Sequence, residues 1–267
     1  MSKRKMQAVL VSLIGTALLM TSCLQTPAEA VAAEKNANMK KLKADEFFTD
    51  RDGTFIMRDL KHDKTFVYND QRATQRFAPQ STFKVPNALI GLQTGAVKDE
   101  YDIKYWDGVK RELDIWNQDH TLGSAMRYSV VWYYQAMARD IGEKQMKEWV
   151  EKLGYGNQDI SGGIDQFWLS STLKISPFEQ IDFMESLYKE KLPFDKSVMK
   201  TVKRMMIQED EDHYTLYGKT GSGSGIGWYA GFVSTEHGAY SFVTNIDGTG
   251  TEAKSITMNM LKQYVLH

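Results

Sequence analysis

A serine hydroxyl attacks well only beside a base, and Ser81-Thr82-Phe83-Lys84 places an amine three residues from a hydroxyl. On a helix beginning near Ser81, residues three apart share a face, which would hold the Lys84 amine beside the Ser81 oxygen. That amine must be neutral to take a proton. An ordinary lysine, with a pKa of about 10.4, becomes half neutral at pH 7 only through a change worth about 4.6 kcal/mol. Burial can supply it, and Phe83, Val85, Leu89 and Ile90 provide an apolar setting. The spacing alone says little, because Ser-x-x-Lys begins at five positions: Ser2, Ser81, Ser171, Ser186 and Ser197. Ser81 differs by context, since Pro79-Gln80 close an irregular stretch and an apolar segment, 85–92, follows.

Two further groups suit the same chemistry. Lys219-Thr220-Gly221 ends an expected strand and offers a cation and a hydroxyl to a carboxylate, with a glycine that lets backbone approach a ligand. Its bland reading is a lysine-bearing strand end before a glycine turn. Ser129-Val130-Val131 opens an aromatic-rich helix (Trp132, Tyr133, Tyr134), where a hydroxyl could relay a proton to a leaving nitrogen. Taken alone, Ser129 reads more simply as a helix N-cap.

The elements that must carry these residues follow from periodicity. Two β-rich runs, 54–60 and 65–69, flank the polar turn Lys61-His62-Asp63-Lys64 and predict a hairpin. Helices are expected over 82–94, 130–141, 143–153 (stopped by Gly154), 177–189 and 197–208. Strands are expected at 213–219, 227–234 and 240–246, with a closing helix from 252 to about 265. The hairpin is therefore expected to join the late strands in one antiparallel sheet, with a mainly helical region over 85–195 between them. This is an α+β fold. The acidic run Glu209 to Asp212 reads as a solvated turn, and Gly221 to Gly227 as a short, flexible connection.

The chain has 267 residues, 42% hydrophobic and 25% charged, enough to bury a sizeable core. Lys3, Arg4 and Lys5 precede an apolar run, 8–20, too short to span a bilayer with its usual margins, and the whole reads as an export signal. Without those three, 30 basic side chains face 34 acidic ones, which gives nucleic acid no basic surface to bind. Cys23 is the only cysteine, so no internal disulfide can form. Leu19-Met20-Thr21-Ser22-Cys23 resembles a lipoprotein cleavage box, and Ala28-Glu29-Ala30 offers a rival site. The expected organisation is a signal over 1–22 (alternatively 1–30), a tether over 23–42 and a catalytic domain over 43–267. The product would be secreted, or lipid-anchored through Cys23 on the outer face of the bacterial cytoplasmic membrane.

The order of the motifs Ser81-Thr82-Phe83-Lys84, Ser129-Val130-Val131, Tyr155-Gly156-Asn157, Phe167-Trp168-Leu169 and Lys219-Thr220-Gly221 resembles that of class D (oxacillinase-type) serine β-lactamases, of the Gram-positive type. The resemblance runs from about Asp45 onward and implies the penicillin-recognising serine β-lactamase/transpeptidase fold and a β-lactam substrate. It further implies that Ser81 forms an acyl-enzyme and that Ser129 relays a proton. Lys84, carboxylated by carbon dioxide or bicarbonate, would be the general base, with no metal and no other cofactor. Trp168 would donate its indole N–H to that carbamate, with Val131 and Leu169 lining the pocket. Lys219, Thr220 and Gly221 would hold the substrate, and the amides of Ser81 and Ser222 its oxyanion. Where many relatives carry a carboxylate-gripping arginine stands Ala253, followed by Lys254.

Rival chemistries are weighed on residues. An apolar Val131 replaces the asparagine usual in class A enzymes and penicillin-binding proteins. His62, His120, His213, His237 and His267 are scattered without zinc-ligand spacing. A β-lactam sensor that deacylates slowly, and a D,D-peptidase acting on peptide stems, stay open as alternatives.

Overall fold

Apolar runs from the two ends of the chain meet in one sheet. The computed structural model describes residues 38–266, so the expected signal, Cys23 and most of the expected tether lie outside the described residues. Seven strands, β1 (Met39–Lys41), β2 (Gly53–Asp59), β3 (Lys64–Tyr68), β6 (Ile207–Glu211), β7 (Tyr214–Gly223), β8 (Ile226–Thr235) and β9 (Gly238–Asp247), take the order β1-β3-β2-β9-β8-β7-β6. A separate two-stranded ribbon pairs β4 (Ile103–Lys104) with β5 (His120–Thr121). The two ends of the chain join where β2 pairs antiparallel with β9, from Gly53↔Ile246 to Asp59↔Tyr240.

The helices are α1 (Asp70–Ala73), α2 (Lys84–Thr94), α3 (Leu122–Arg127), α4 (Val131–Ile141), α5 (Glu143–Leu153), α6 (Pro177–Tyr188), α7 (Lys196–Met205) and α8 (Gly250–Tyr264). Strand β8 is buried on both faces, which is why Trp228-Tyr229-Ala230 reads as a continuous apolar run and not as an alternation. Trp228, Ala230 and Phe232 join the core shared with α2, α4 and α6, while Tyr229 and Val233 join the core under α8 with Ile256 and Met260. Burying a side chain such as Met260 contributes about 1.5–3 kcal/mol. Reciprocal caps fix three helix starts: Thr121 with Ser124 at α3, Ser176 with Glu179 at α6, and Thr249 with Glu252 at α8.

The α+β class holds, with corrections at the sheet edges. The sheet is not wholly antiparallel, because Met39–Lys41, read as tether, pairs parallel with β3. Of the acidic run only Asp212 lies in a turn: Glu209 to Glu211 belong to edge strand β6, where the Tyr214 hydroxyl donates to Glu209 and the Thr215 hydroxyl to Asp210, both at 2.7 Å. An edge strand tolerates charges because its outer face remains in water. Helix α7 accordingly stops at Met205 rather than at 208. The expected flexible connection after Gly221 is instead a continued ladder to Gly223↔Ile226. Ser224 (φ 48°) and Gly225 (φ 74°) close it as a two-residue turn with both positions left-handed, the geometry that matches strand twist.

Candidate active site

Ser81 lies in a single 3-10 turn, Gln80–Phe83, that runs into α2. With three residues per turn, side chains at i and i+3 eclipse, so Ser81 and Lys84 are brought together more directly than an α-helix would manage. The Lys84 Nζ and Ser81 Oγ are 2.7 Å apart. The Thr82 hydroxyl donates to the Pro79 carbonyl at 2.7 Å and ties the turn. The segment ahead of it is pinned by the Phe77↔Ile175 bridge and by the Arg76–Glu179 ion pair at the start of α6.

Lys84 is fully buried, as are Phe83, Val85, Leu89 and Ile90. Burial, reinforced by the charge of Lys219, holds its amine well below the ordinary lysine pKa. Tyr134, one turn beyond Val131 on α4, sets its ring 5.5 Å from the Lys84 Nζ. Lys219 is also buried, and desolvation lowers its pKa to about 7. Its Nζ donates to the Ser129 hydroxyl at 2.9 Å and to the Thr220 carbonyl at 3.0 Å. Neither lysine forms an ion pair among the described residues, so the site holds two desolvated amines and has a deficit of negative charge.

Ser129 is not the N-cap its position suggests. It is left-handed (φ 55°) between α3 and α4, Val130 takes the cap position, and the Ser129 side chain meets Lys219 instead. Gly221 also has a role within the fold. A Cβ there would stand 3.0 Å from the Pro79 carbonyl and 3.2 Å from the Thr82 amide, so the glycine lets β7 lie against the serine turn itself.

Strand parity orients the Ser222 amide. In a two-residue hairpin the pair beside the turn, Gly223↔Ile226, is hydrogen-bonded, so Ser222↔Gly227 is a non-bonded pair and the Ser222 N–H points away from β8. It faces the edge of β7 that β6 covers only as far as Tyr217 and Gly218. The Ser222 hydroxyl is used elsewhere, accepting from the Gly250 amide at 2.6 Å. Thr220, half-buried, pairs with Tyr229. Lys254 does not join the group around Ser81: its Nζ donates to Gln208 at 3.3 Å and lies over Tyr229. Ala253 is buried in the core under α8.

The Phe167-Trp168-Leu169 segment is held by the Tyr155-Gly156-Asn157 motif. Asn157 donates to the Thr172 carbonyl and accepts from the Lys174 amide, at 2.9 and 2.8 Å. Gly156 is left-handed, and a Cβ there would fall 2.0 Å from the Lys174 carbonyl. Trp168 stacks on Phe83 and is fully buried, and its indole N–H meets no acceptor among the described residues. A carbamate on Lys84 fits these surroundings, because it would replace one of the two buried amines by an anionic acceptor in a region that holds an unpaired buried donor, Trp168, and the remaining amine, Lys219. Val131 and Leu169 are half-buried beside Val130 and Trp168.

Tyr134 and Gln80 belong to the site without having been singled out for it. Tyr134 was recoverable as the i+3 neighbour of Val131. Gln80 carried no sequence signal, since its contacts lie in segments distant along the chain.

Residues 29–265 match the penicillin-binding protein transpeptidase domain family. The chain is 65% identical over 242 residues to the probable β-lactamase YbxI of Bacillus subtilis (strain 168), covering 90% of this chain and 91% of that one. It is 37% identical over 261 residues to β-lactamase OXA-48 of Klebsiella pneumoniae, covering 94% and 96%. Its fold superposes on the class D β-lactamase BAT-2 with a TM-score of 0.83 and 67% identity, covering 85% of this chain and 97% of that structure. With this fold, and with Ser81 held against a buried Lys84, the chain belongs to the penicillin-binding transpeptidase-domain family and, within it, to the class D serine β-lactamases.

Proposed function

We propose that this β-lactamase opens penicillin-type β-lactams by forming an ester on Ser81 and hydrolyses that ester fast enough to confer antibiotic resistance. The observation that carries this reading is the contact of Ser81 with a fully buried Lys84 that has no counter-charge among the described residues, while Trp168, stacked on the adjacent Phe83, has an indole N–H with no acceptor among them. When formed from carbon dioxide, a carbamate on Lys84 supplies the general base for acylation and deacylation. Trp168 is the residue that would hold it by donating its N–H. In acylation the Ser81 Oγ bonds to the lactam carbonyl carbon, and the amides of Ser81 and Ser222 receive the developing oxyanion. The carbon–nitrogen bond then breaks as the Ser129 hydroxyl, oriented by Lys219, delivers a proton to the ring nitrogen. Lys219 and Thr220 bind the substrate carboxylate, and Val131 and Leu169 limit the approach of hydrolytic water. Export through the amino-terminal segment, free or lipid-anchored at Cys23, would place the enzyme where the antibiotics arrive.

The test is hydrolysis of a chromogenic cephalosporin, with mass spectrometry of Ser81 after brief exposure to penicillin. Prompt turnover that falls on removal of bicarbonate and returns with it supports the reading. An acyl-enzyme lasting many minutes indicates a sensor, and turnover indifferent to bicarbonate excludes the carbamate.

A further inference from the structure

The two amides assigned to the oxyanion belong to separate elements, Ser81 to the 3-10 turn and Ser222 to β7, and the side chain of Gln80, the first residue of that turn, lies against β7. Gln80 is 2% exposed, although it is polar and immediately precedes the nucleophile. Its backbone is left-handed, at φ 52°, a region that glycine enters freely and glutamine does not. Two bonds hold it there: the Gln80 amide donates to the Trp168 carbonyl at 3.1 Å, and its Nε2 donates to the Ser170 hydroxyl at 2.6 Å.

The same side chain lies along β7 on both sides of Ser222. A Cβ on Gly221 would stand 3.3 Å from the Gln80 Cβ, and one on Gly223 would stand 2.5 Å from its Oε1. The Ser224 hydroxyl at the hairpin tip donates to the Ser170 hydroxyl at 2.8 Å and completes a link from the serine turn through the Trp168 loop to β7. The conformation of Gln80 sets the direction of the following peptide N–H, which is that of Ser81. Its side chain sets how closely the strand bearing Ser222 approaches.

We propose that Gln80 is the positioning residue of the oxyanion site, fixing the spacing and aim of the Ser81 and Ser222 amides. The proposal rests on the acyl-Ser81 reading above. Gln80 touches no reacting atom, so its effect is on transition-state stabilisation and not on the capture of substrate. Gln80→Ala removes the side-chain amide that lies against Gly223 and donates to Ser170, and Gln80→Gly also removes the Cβ beside Gly221 while easing the left-handed backbone, which guards against a loss that is only misfolding.

The experiment is isotope-edited infrared spectroscopy, on rapid mixing with a penicillin carrying 13C at the lactam carbonyl, together with steady-state kinetics. Both variants should lower kcat about tenfold or more with KM changed less than about twofold, since misplacement near 1 Å can cost about 10²-fold. The ester carbonyl band should move to higher frequency as its hydrogen bonds weaken, and Ser224→Ala should move it the same way by less. If no ester forms on wild-type Ser81, the underlying reading fails and the proposal with it. A wild-type band that both Gln80 variants leave in place overturns the proposal alone.

Discussion

The Lys219 Nζ stands 2.9 Å from the Ser129 hydroxyl, so a strand near the end of the chain and a left-handed link between two central helices share one hydrogen bond. That bond joins the sheet to the helical region, and the charge of Lys219 couples it to the second buried amine, Lys84, which it helps to depress after burial.

The coupling gives a pH signature. A carbamate forms only on neutral Lys84, so as pH falls through the depressed Lys84 value the amine protonates and activity should decline on the acid side, with recovery when bicarbonate is added. On the alkaline side Lys219, near 7 through burial, loses its proton and with it the hold proposed for it on the substrate carboxylate. A negative carbamate would keep that proton on. Saturating bicarbonate should therefore move the alkaline limb of kcat/KM to higher pH, and pH profiles at low and high bicarbonate will show whether it does.

Replacing Lys84 should separate stability from activity. Lys84→Met keeps similar bulk and removes a desolvated amine, so the variant should be more stable by about 1–3 kcal/mol at neutral pH while turnover is abolished. Between its depressed pKa and the unfolded value of about 10.4, wild-type Lys84 releases a proton on folding. Wild-type stability should accordingly gain on the Met variant as pH rises through that window. Urea denaturation in bicarbonate-free buffer at several pH values measures both effects.

Gly221→Ala places a methyl group 3.0 Å from the Pro79 carbonyl. Backbone on both sides must yield, costing about 1–3 kcal/mol of stability and pushing β7 away from Ser81. The expected result is a lower melting temperature with a loss of kcat larger than the change in KM.

Gly156→Ala disturbs the segment that carries Trp168 at a distance from the chemistry. The new Cβ would overlap the Lys174 carbonyl in a left-handed conformation, so the 157–175 segment must shift. The hold proposed for Trp168 on a Lys84 carbamate should then weaken. The bicarbonate concentration giving half-maximal activity should rise several-fold, and 13C NMR of the carbamate should show lower occupancy at fixed bicarbonate.

Much of this was legible in the residues. The apolar period over 143–153 and the stop at Gly154 coincide with α5, because that helix is amphipathic and ends in a left-handed glycine. Lys84 stood out only through distant company, Val131, Trp168 and Lys219. Glu209 to Glu211 misled because strand pairing at an edge leaves side chains free to be acidic. Ser129 resembled a cap because its use depends on Lys219, ninety residues away. Gln80 was silent for the same reason: local periodicity does not record a contact between a residue and a hairpin tip far along the chain.

The β2–β9 ladder sets the order in which the enzyme can be born. Gly53 cannot find Ile246 until nearly the whole chain has been synthesised, and closing so long a loop is slow compared with forming the helices between. Strand β7, which supplies Lys219 and the Ser222 amide, reaches the amino-terminal strands only through β8 and β9. The Ser81 turn thus precedes in synthesis the strands that surround it, and a chain cut short before β9 would carry Ser81 and Lys84 without the joined sheet that brings Lys219 to Ser129.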